Sequence, residues 1–302
     1  MSELATYAYT PADVNAAYTD IREALFTGKE ASEVPQLLIT AGLQGSGKTY
    51  LLEKTLLPSG QYANYIRLYS PDFRKKHPQY DIMLRKGVLH AYEHTESFVR
   101  EVCAKLFEEA FTGRYSMIVE CAFDDIDFAN LPAFAAGAGY RIEAHIVACS
   151  LPFAFISGVK RAFRSLEKQE LERFVRPSDL RSSLGNSHAV LFALESAAKT
   201  VDGSQIHLYE RGLGALNDRV LRRQSTYSLD ESKKLTVTSM LEPYRYSDYE
   251  QVSGNTVNTT AERDEMIREC HLALSKTAAH VDQVPMFVYN ALHARIVKHV
   301  YR

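Results

Sequence analysis

Eight consecutive residues, Gly42-Leu43-Gln44-Gly45-Ser46-Gly47-Lys48-Thr49, place a lysine and a hydroxyl directly behind three glycines. That spacing suits the handling of a polyphosphate. The glycines open backbone conformations closed to other residues, so several amide N–H groups can turn toward one phosphate. A helix starting at the lysine adds unpaired N–H groups and a partial positive charge. Lys48 can reach the β- and γ-phosphates of ATP, and Thr49 can hold Mg²⁺. Gln44 and Ser46 complete the loop that would line the nucleotide. The same residues can occur by chance in a surface turn. Context separates the two readings, because the apolar run Gln36–Ala41 precedes the loop and an apolar-periodic segment, 49–57, follows it.

Asp72 follows the next apolar run directly, in Ser70-Pro71-Asp72-Phe73-Arg74. In open α/β sheets, ligands bind beyond the carboxyl ends of the strands. A carboxylate there can orient an acceptor hydroxyl and take its proton as the phosphoryl group arrives. A helix N-cap is the alternative role. Glu120 closes a third strand on the same edge and could ligate Mg²⁺ through water or hold an acceptor. The stretch 160–181 carries Lys160, Arg161, Arg164, Arg173, Arg176 and Arg181 among its basic residues. Arginines on a lid-like helix can stabilise the charge of a transferring phosphoryl group. Pairing with Glu167, Glu170 and Glu172 on a solvated face is the plainer alternative.

These residues need a scaffold that brings strand ends to one edge. Short apolar runs at 36–41, 64–69, 115–120, 141–148 and 204–209 read as strands. Helical patterns at 49–57, 95–111, 127–138, 154–175 and 187–199 separate them. The fold class expected is α/β, a P-loop NTPase-type parallel sheet of about five strands flanked by helices, with an extra C-terminal extension. The expected division is a kinase domain over 1–225 and an extension over 226–302. The latter begins rich in Ser, Thr and Tyr and returns to helical character after 261. His188 and His207 read as structural.

The 302 residues are 46% apolar and 24% charged, enough for one large core and too ordered for a disordered chain. A formal net charge of −2 lacks the basic excess of a general nucleic-acid binder. Cys103, Cys121, Cys149 and Cys270 have no metal-ligand spacing. Cys121 and Cys149 lie in apolar stretches, as small buried hydrophobes in a reducing compartment do. No run approaches a membrane span and the first residues form no leader pattern, so a cytoplasmic protein is expected.

The glycine loop, the Ser70–Arg74 segment followed by His77-Pro78, and the strand ending in Glu120 together resemble the zeta toxin family, the toxin kinases of bacterial epsilon/zeta-type toxin–antitoxin systems. The similarity runs through Arg161 and Arg173 to Ile206-His207-Leu208-Tyr209-Glu210-Arg211 and covers roughly residues 30–215. The resemblance implies phosphorylation of the 3′-hydroxyl of the amino sugar of UDP-N-acetylglucosamine, with ATP and Mg²⁺. It implies that Lys48 binds phosphate, that Asp72 is the catalytic base and that Arg161 and Arg173 contact the ATP phosphates. Arg74 and Glu120 join Asp72 as substrate-binding candidates, with Thr49 at the metal. An antitoxin is the implied protein partner, and neither nucleic acid nor membrane is expected.

Two departures from the family pattern stand out. Cys121-Ala122 replaces a small residue followed by Thr, and Arg176-Pro177 makes Arg176 an alternative to Arg173. Three readings therefore stay open: a UDP-sugar kinase, a kinase of another nucleotide-linked hydroxyl such as that of NAD or a nucleic-acid end, and an ATP-binding module that docks a partner without catalysis.

Overall fold

A computed structural model describes residues 7–68, 71–168, 173–212, 219–232, 234–255 and 259–300. The expected helix over 154–175 therefore lies partly outside the described residues, as do Tyr69 and Ser70.

Seven strands form one sheet in the order β2-β3-β1-β4-β5-β6-β7. They are β1 (Gln36–Ala41), β2 (Ile66–Arg67), β3 (Met117–Cys121), β4 (Arg141–Ala148), β5 (Ser204–Arg211), β6 (Arg219–Leu229) and β7 (Leu235–Thr238). The first five pair in parallel, as the alternation of strand and helix requires. β6 and β7 add on antiparallel beyond β5 and were not expected. Their residues explain why. β6 is half-covered, and all four residues of β7 are exposed, so neither has the apolar run of a buried parallel strand.

The helices are α1 (Pro11–Phe26), α2 (Lys48–Leu51), α3 (Tyr80–Arg85), α4 (Val88–His94), α5 (Glu96–Thr112), α6 (Asn130–Gly137), α7 (Leu151–Glu167), α8 (Pro177–Ala198), α9 (Tyr246–Gly254), α10 (Thr260–Ala279) and α11 (Met286–Val300). Thr10 and Asp13 form a reciprocal capping box at the start of α1, with Pro11 in its first turn. Thr259 and Glu262 do the same for α10. α2 does not end cleanly. It runs into a π-helical turn over Leu52–Leu56, a distortion that recurs near functional sites. No helix among the described residues is long and apolar enough to cross a membrane.

The division expected at residue 225 falls inside β6. The residues beyond it share the main core, which includes Tyr244, Tyr249, Met266, Cys270, Val288 and Leu292. α10 is tied to α7 by Lys160–Glu269 and by Lys276–Glu167 at 2.6 Å. Arg295 of α11 lies over Phe155 of α7, 4.4 Å from its ring centre. Within 226–260 the residues buried in that core are Tyr227, Tyr244 and Tyr249, scattered among polar residues, so the segment shows no apolar period in the sequence.

Truncation after residue 225 is therefore expected to unfold the protein. Burying one such side chain contributes roughly 1.5–3 kcal/mol, and the six named match much of a typical domain stability of about 5–15 kcal/mol. Thermal melts followed by near-ultraviolet circular dichroism should show no cooperative transition in the truncated chain. A transition at the wild-type temperature would show that the C-terminal helices are dispensable to the fold.

Candidate functional site

The loop Gly42–Gly47 leaves β1 and enters α2 through left-handed backbone. Gly45 and Gly47 have φ of +87° and +94°, conformations that side chains rarely adopt. Space opposes a side chain at Gly45 as well, against fixed backbone, while at Gly47 the ends of two arginine side chains would have to move aside. A Cβ on Gly45 would lie 2.1 Å from the carbonyl oxygen of Ala154, and one on Gly47 would lie 2.5 Å from guanidinium nitrogens of Arg211 and Arg219. The loop is thus pressed between α7 and the β5–β6 hairpin. Ser46 Oγ is buried within it without a hydrogen-bond partner.

Lys48 is 7% exposed. Burial pushes its pKa down; Glu120 opposes the shift and Arg161 adds to it. A cation held where its charge is disfavoured is suited to a polyanion, which would restore that charge. This environment and the glycine cradle fit the triphosphate of ATP.

Glu120, near the end of β3, pairs in register with Thr40 of β1. Its Oε2 accepts from Thr49 Oγ1 at 2.6 Å, and its Oε1 accepts from Arg67 Nη2 at 2.9 Å. The structure therefore brings Glu120 to the hydroxyl expected to hold the metal. A hydroxyl and a carboxylate form an all-oxygen donor set, which suits Mg²⁺.

Arg173 reaches the loop from the segment between α7 and α8. Its Nη2 is 3.4 Å from Gln44 Oε1 and 3.4 Å from Asp124 Oδ2. Arg176 turns elsewhere, lying 5.5 Å from the ring centre of Phe287 on α11. Of the two candidates, Arg173 is the one at the loop. Arg161 is placed near Lys48 by its effect on that lysine's charge.

Asp72 lies on a 3-10 turn, Pro71–Lys76, on the chain that leaves β2 at the sheet edge shared with the loop. Its carboxylate is exposed and ion-paired with Lys75 at 2.5 Å. The N-cap of α3 is Gln79, so Asp72 does not cap that helix. Arg74, expected at the substrate, is instead buried. Its Nη1 donates to Tyr92 O and Thr95 Oγ1, both at 3.0 Å, and its Nη2 to Glu96 Oε2 at 2.5 Å. Its guanidinium also stacks on Tyr92, 3.8 Å from the ring centre, while Arg173 approaches the same ring at 5.6 Å. These contacts fasten the Asp72 turn to α4 and α5.

Sequence reading passed over Asp124, Arg67 and Arg219. Asp124 offered a signal, as an acid just past the strand that carries Glu120. Arg67 and Arg219 stood on strands whose partners were invisible without the sheet order.

A second polar cluster lies beneath α2. Tyr62 donates to Glu143 Oε1 at 2.5 Å, and His145 Nε2 is 2.9 Å from the same oxygen. One donor atom each from Glu143, His145 and His207 lie within 4.8 Å of one another. The two imidazoles, however, stack 4.5 Å apart with planes 9° from parallel. Parallel rings do not direct their lone pairs at one ion. Burial, then the neighbouring His145, pushes the His207 pKa down to about 4, which fits the structural role expected of it.

A model of the family described as Zeta toxin matches residues 22–230. Two curated relatives, each called Toxin zeta, come from Streptococcus pyogenes and Enterococcus hirae. They are 22% identical over 198 and 199 residues, covering 64% of this chain and 66% of each relative. The chain thus spans just under two thirds of their length. Among solved structures, a chain from the PezAT chromosomal toxin–antitoxin system of Streptococcus pneumoniae superposes with a TM-score of 0.62 at 16% identity. It covers 92% of this chain and 100% of that one, so the likeness extends past residue 230. The AvrRxo1-ORF1:-ORF2 complex with ATP gives 0.55 at 13% identity, covering 94% and 86%. At these identities the likeness is one of fold.

Proposed function

The chain belongs to the zeta toxin family, and from that premise we propose that it is an ATP-dependent phosphotransferase acting on a hydroxyl of a nucleotide sugar, most simply UDP-N-acetylglucosamine or a related UDP-sugar. The observation that carries the reading is the contact of Thr49 with Glu120 beside the buried Lys48. A hydroxyl that could hold a metal and a lysine that could bind phosphate, both at the end of the glycine loop, meet a carboxylate of β3 there. A docking module that only bound ATP would have no need of an exposed carboxylate, Asp72, at the same sheet edge.

In this reading the loop amides and Lys48 hold the β- and γ-phosphates. Thr49 and Glu120 would hold Mg²⁺, which would supply neutralising charge to those phosphates. Arg161 and Arg173 stabilise the charge that spreads over the transferring group. Asp72 takes the proton of the acceptor hydroxyl. Arg74 positions the Asp72 turn and does not touch the acceptor. The protein acts as a toxin in the cytoplasm, where ATP and UDP-sugars meet, and an antitoxin restrains it. The similar PezAT chain belongs to a toxin–antitoxin system, which supports that partner.

One feature favours a second acceptor. Ala122 stands where the family commonly carries Thr, and Cys121 before it is buried, so a polar contact to a UDP-sugar is missing. Another nucleotide-linked hydroxyl, such as the adenosine ribose of NAD, is the alternative. Incubating the protein with ATP, Mg²⁺ and a panel of UDP-sugars, NAD and oligonucleotides, read by mass spectrometry, separates these. A phosphoryl group added to a UDP-sugar supports the proposal. One added only to NAD or an oligonucleotide replaces its acceptor, and none added to any acceptor refutes it.

A further inference from the structure

Two arginines of the β5–β6 hairpin build the outer flank of the glycine loop. Arg211 ends β5, Arg219 begins β6, and the two are cross-strand partners. Both guanidiniums lie against Gly47, each near enough to collide with any side chain there. Arg211 is buried. Its Nη1 donates to Gly45 O at 3.0 Å, its Nη2 to Ser157 Oγ at 3.4 Å, and its plane rests on Phe153. Its Nε is buried with no hydrogen-bond partner, and no carboxylate pairs with it among the described residues. Arg219 lies over Tyr50, 4.2 Å from the ring centre.

Two like charges share a partly dry pocket here. Burial, and then the neighbouring Arg219, pushes the Arg211 pKa down to about 10. A buried guanidinium such as that of Arg211, with no carboxylate beside it among the described residues, is costly unless an anion completes its site. A paired guanidinium fork also matches phosphate oxygens in geometry. The flank adjoins Gly47 and Tyr50. In loops of this spacing the backbone cradles the α- and β-phosphates, whereas the lysine reaches the β/γ end.

We propose that Arg211 and Arg219 bind the nucleoside-proximal α- and β-phosphates of the nucleotide, making the β5–β6 hairpin part of the ATP site. The inference rests on the phosphotransferase reading for the identity of the anion. It assigns a role to a strand that enters no other part of the site. Because the α- and β-phosphates are common to ATP and ADP, the hairpin grips substrate and product alike. Lys48 discriminates in favour of ATP.

The test is calorimetric titration of the full-length protein with ATP and with ADP. It compares the wild type, Arg219→Gln and Arg219→Lys, with thermal melts to verify folding. Loss of a hydrogen bond to a charged group corresponds to about a 10-fold change in affinity. Arg219→Gln should weaken ATP and ADP by the same factor of about 10, and Arg219→Lys should recover part of it. Arg219→Gln is the principal variant because Arg211→Gln also removes the bond to Gly45 and could disturb the loop itself. Unchanged ADP affinity in a folded Arg219→Gln protein overturns the proposal, as does a loss confined to ATP. A phosphate-transfer assay on the same preparations keeps the two claims apart. Wild type that binds ADP with the predicted dependence but transfers no phosphate sinks the phosphotransferase reading alone. Wild type that transfers phosphate while Arg219→Gln binds ADP normally sinks this inference alone. Wild type that binds neither nucleotide sinks both.

Discussion

Asp72→Asn is expected to lower turnover by about 10²–10⁴-fold, the range that a positioned general base contributes, while leaving ATP affinity unchanged. A hydroxyl is a poor nucleophile at neutral pH, and the amide keeps the size of the carboxylate without its basicity. The stability cost should be small, because Asp72 and the Lys75 it pairs with are both largely exposed. Titrating ATP by calorimetry and measuring single-turnover transfer on one preparation checks both halves. Weakened ATP binding with preserved turnover would move Asp72 to the nucleotide or metal site. No change in either quantity would leave it a surface ion pair.

Lys48→Ala should have the other large effect. Removing one preorganised donor to developing charge costs about 10²–10³-fold in turnover, and Lys48 brings a full charge from a buried position. The loss should exceed that range at saturating ATP. ADP should be affected less than ATP, since the lysine serves the β/γ end. The buried ammonium is disfavoured in the absence of an anion, so the variant should melt no lower than wild type without nucleotide, whereas ATP should raise the wild-type melting temperature more. Near wild-type turnover would remove Lys48 from the chemistry.

Much of the fold was legible because its signals were local. β4 spans 141–148 as its apolar run indicates, and β1 spans 36–41. The glycine loop was legible because three glycines, a lysine and a threonine sit within eight residues. What escaped depends on contacts distant in sequence. β6 and β7 are polar strands at the edge of the sheet, recognisable only once β5 is there to pair with. Between 226 and 260 the core residues are Tyr227, Tyr244 and Tyr249, set among polar residues with no apolar period, while Met266, Cys270, Val288 and Leu292 come from the helices that follow. Arg74 looked like a ligand-facing cation beside Asp72. Its burial follows from Tyr92, Thr95 and Glu96, some twenty residues away, and no spacing rule links them. The choice between Arg173 and Arg176 likewise needed α11, whose Phe287 takes Arg176 away from the loop.

The central claim is that this loop moves a phosphoryl group and does not merely hold ATP. The most direct measurement follows ATP labelled in its γ-phosphate through a single turnover, with Mg²⁺ and a mixture of UDP-sugars, and separates ATP, ADP and acceptor products. Label is expected to leave ATP and enter a UDP-sugar in the wild type, and to stay in ATP with Lys48→Ala. ATP that binds the wild type tightly and is recovered intact after prolonged incubation with the same acceptors would contradict that claim.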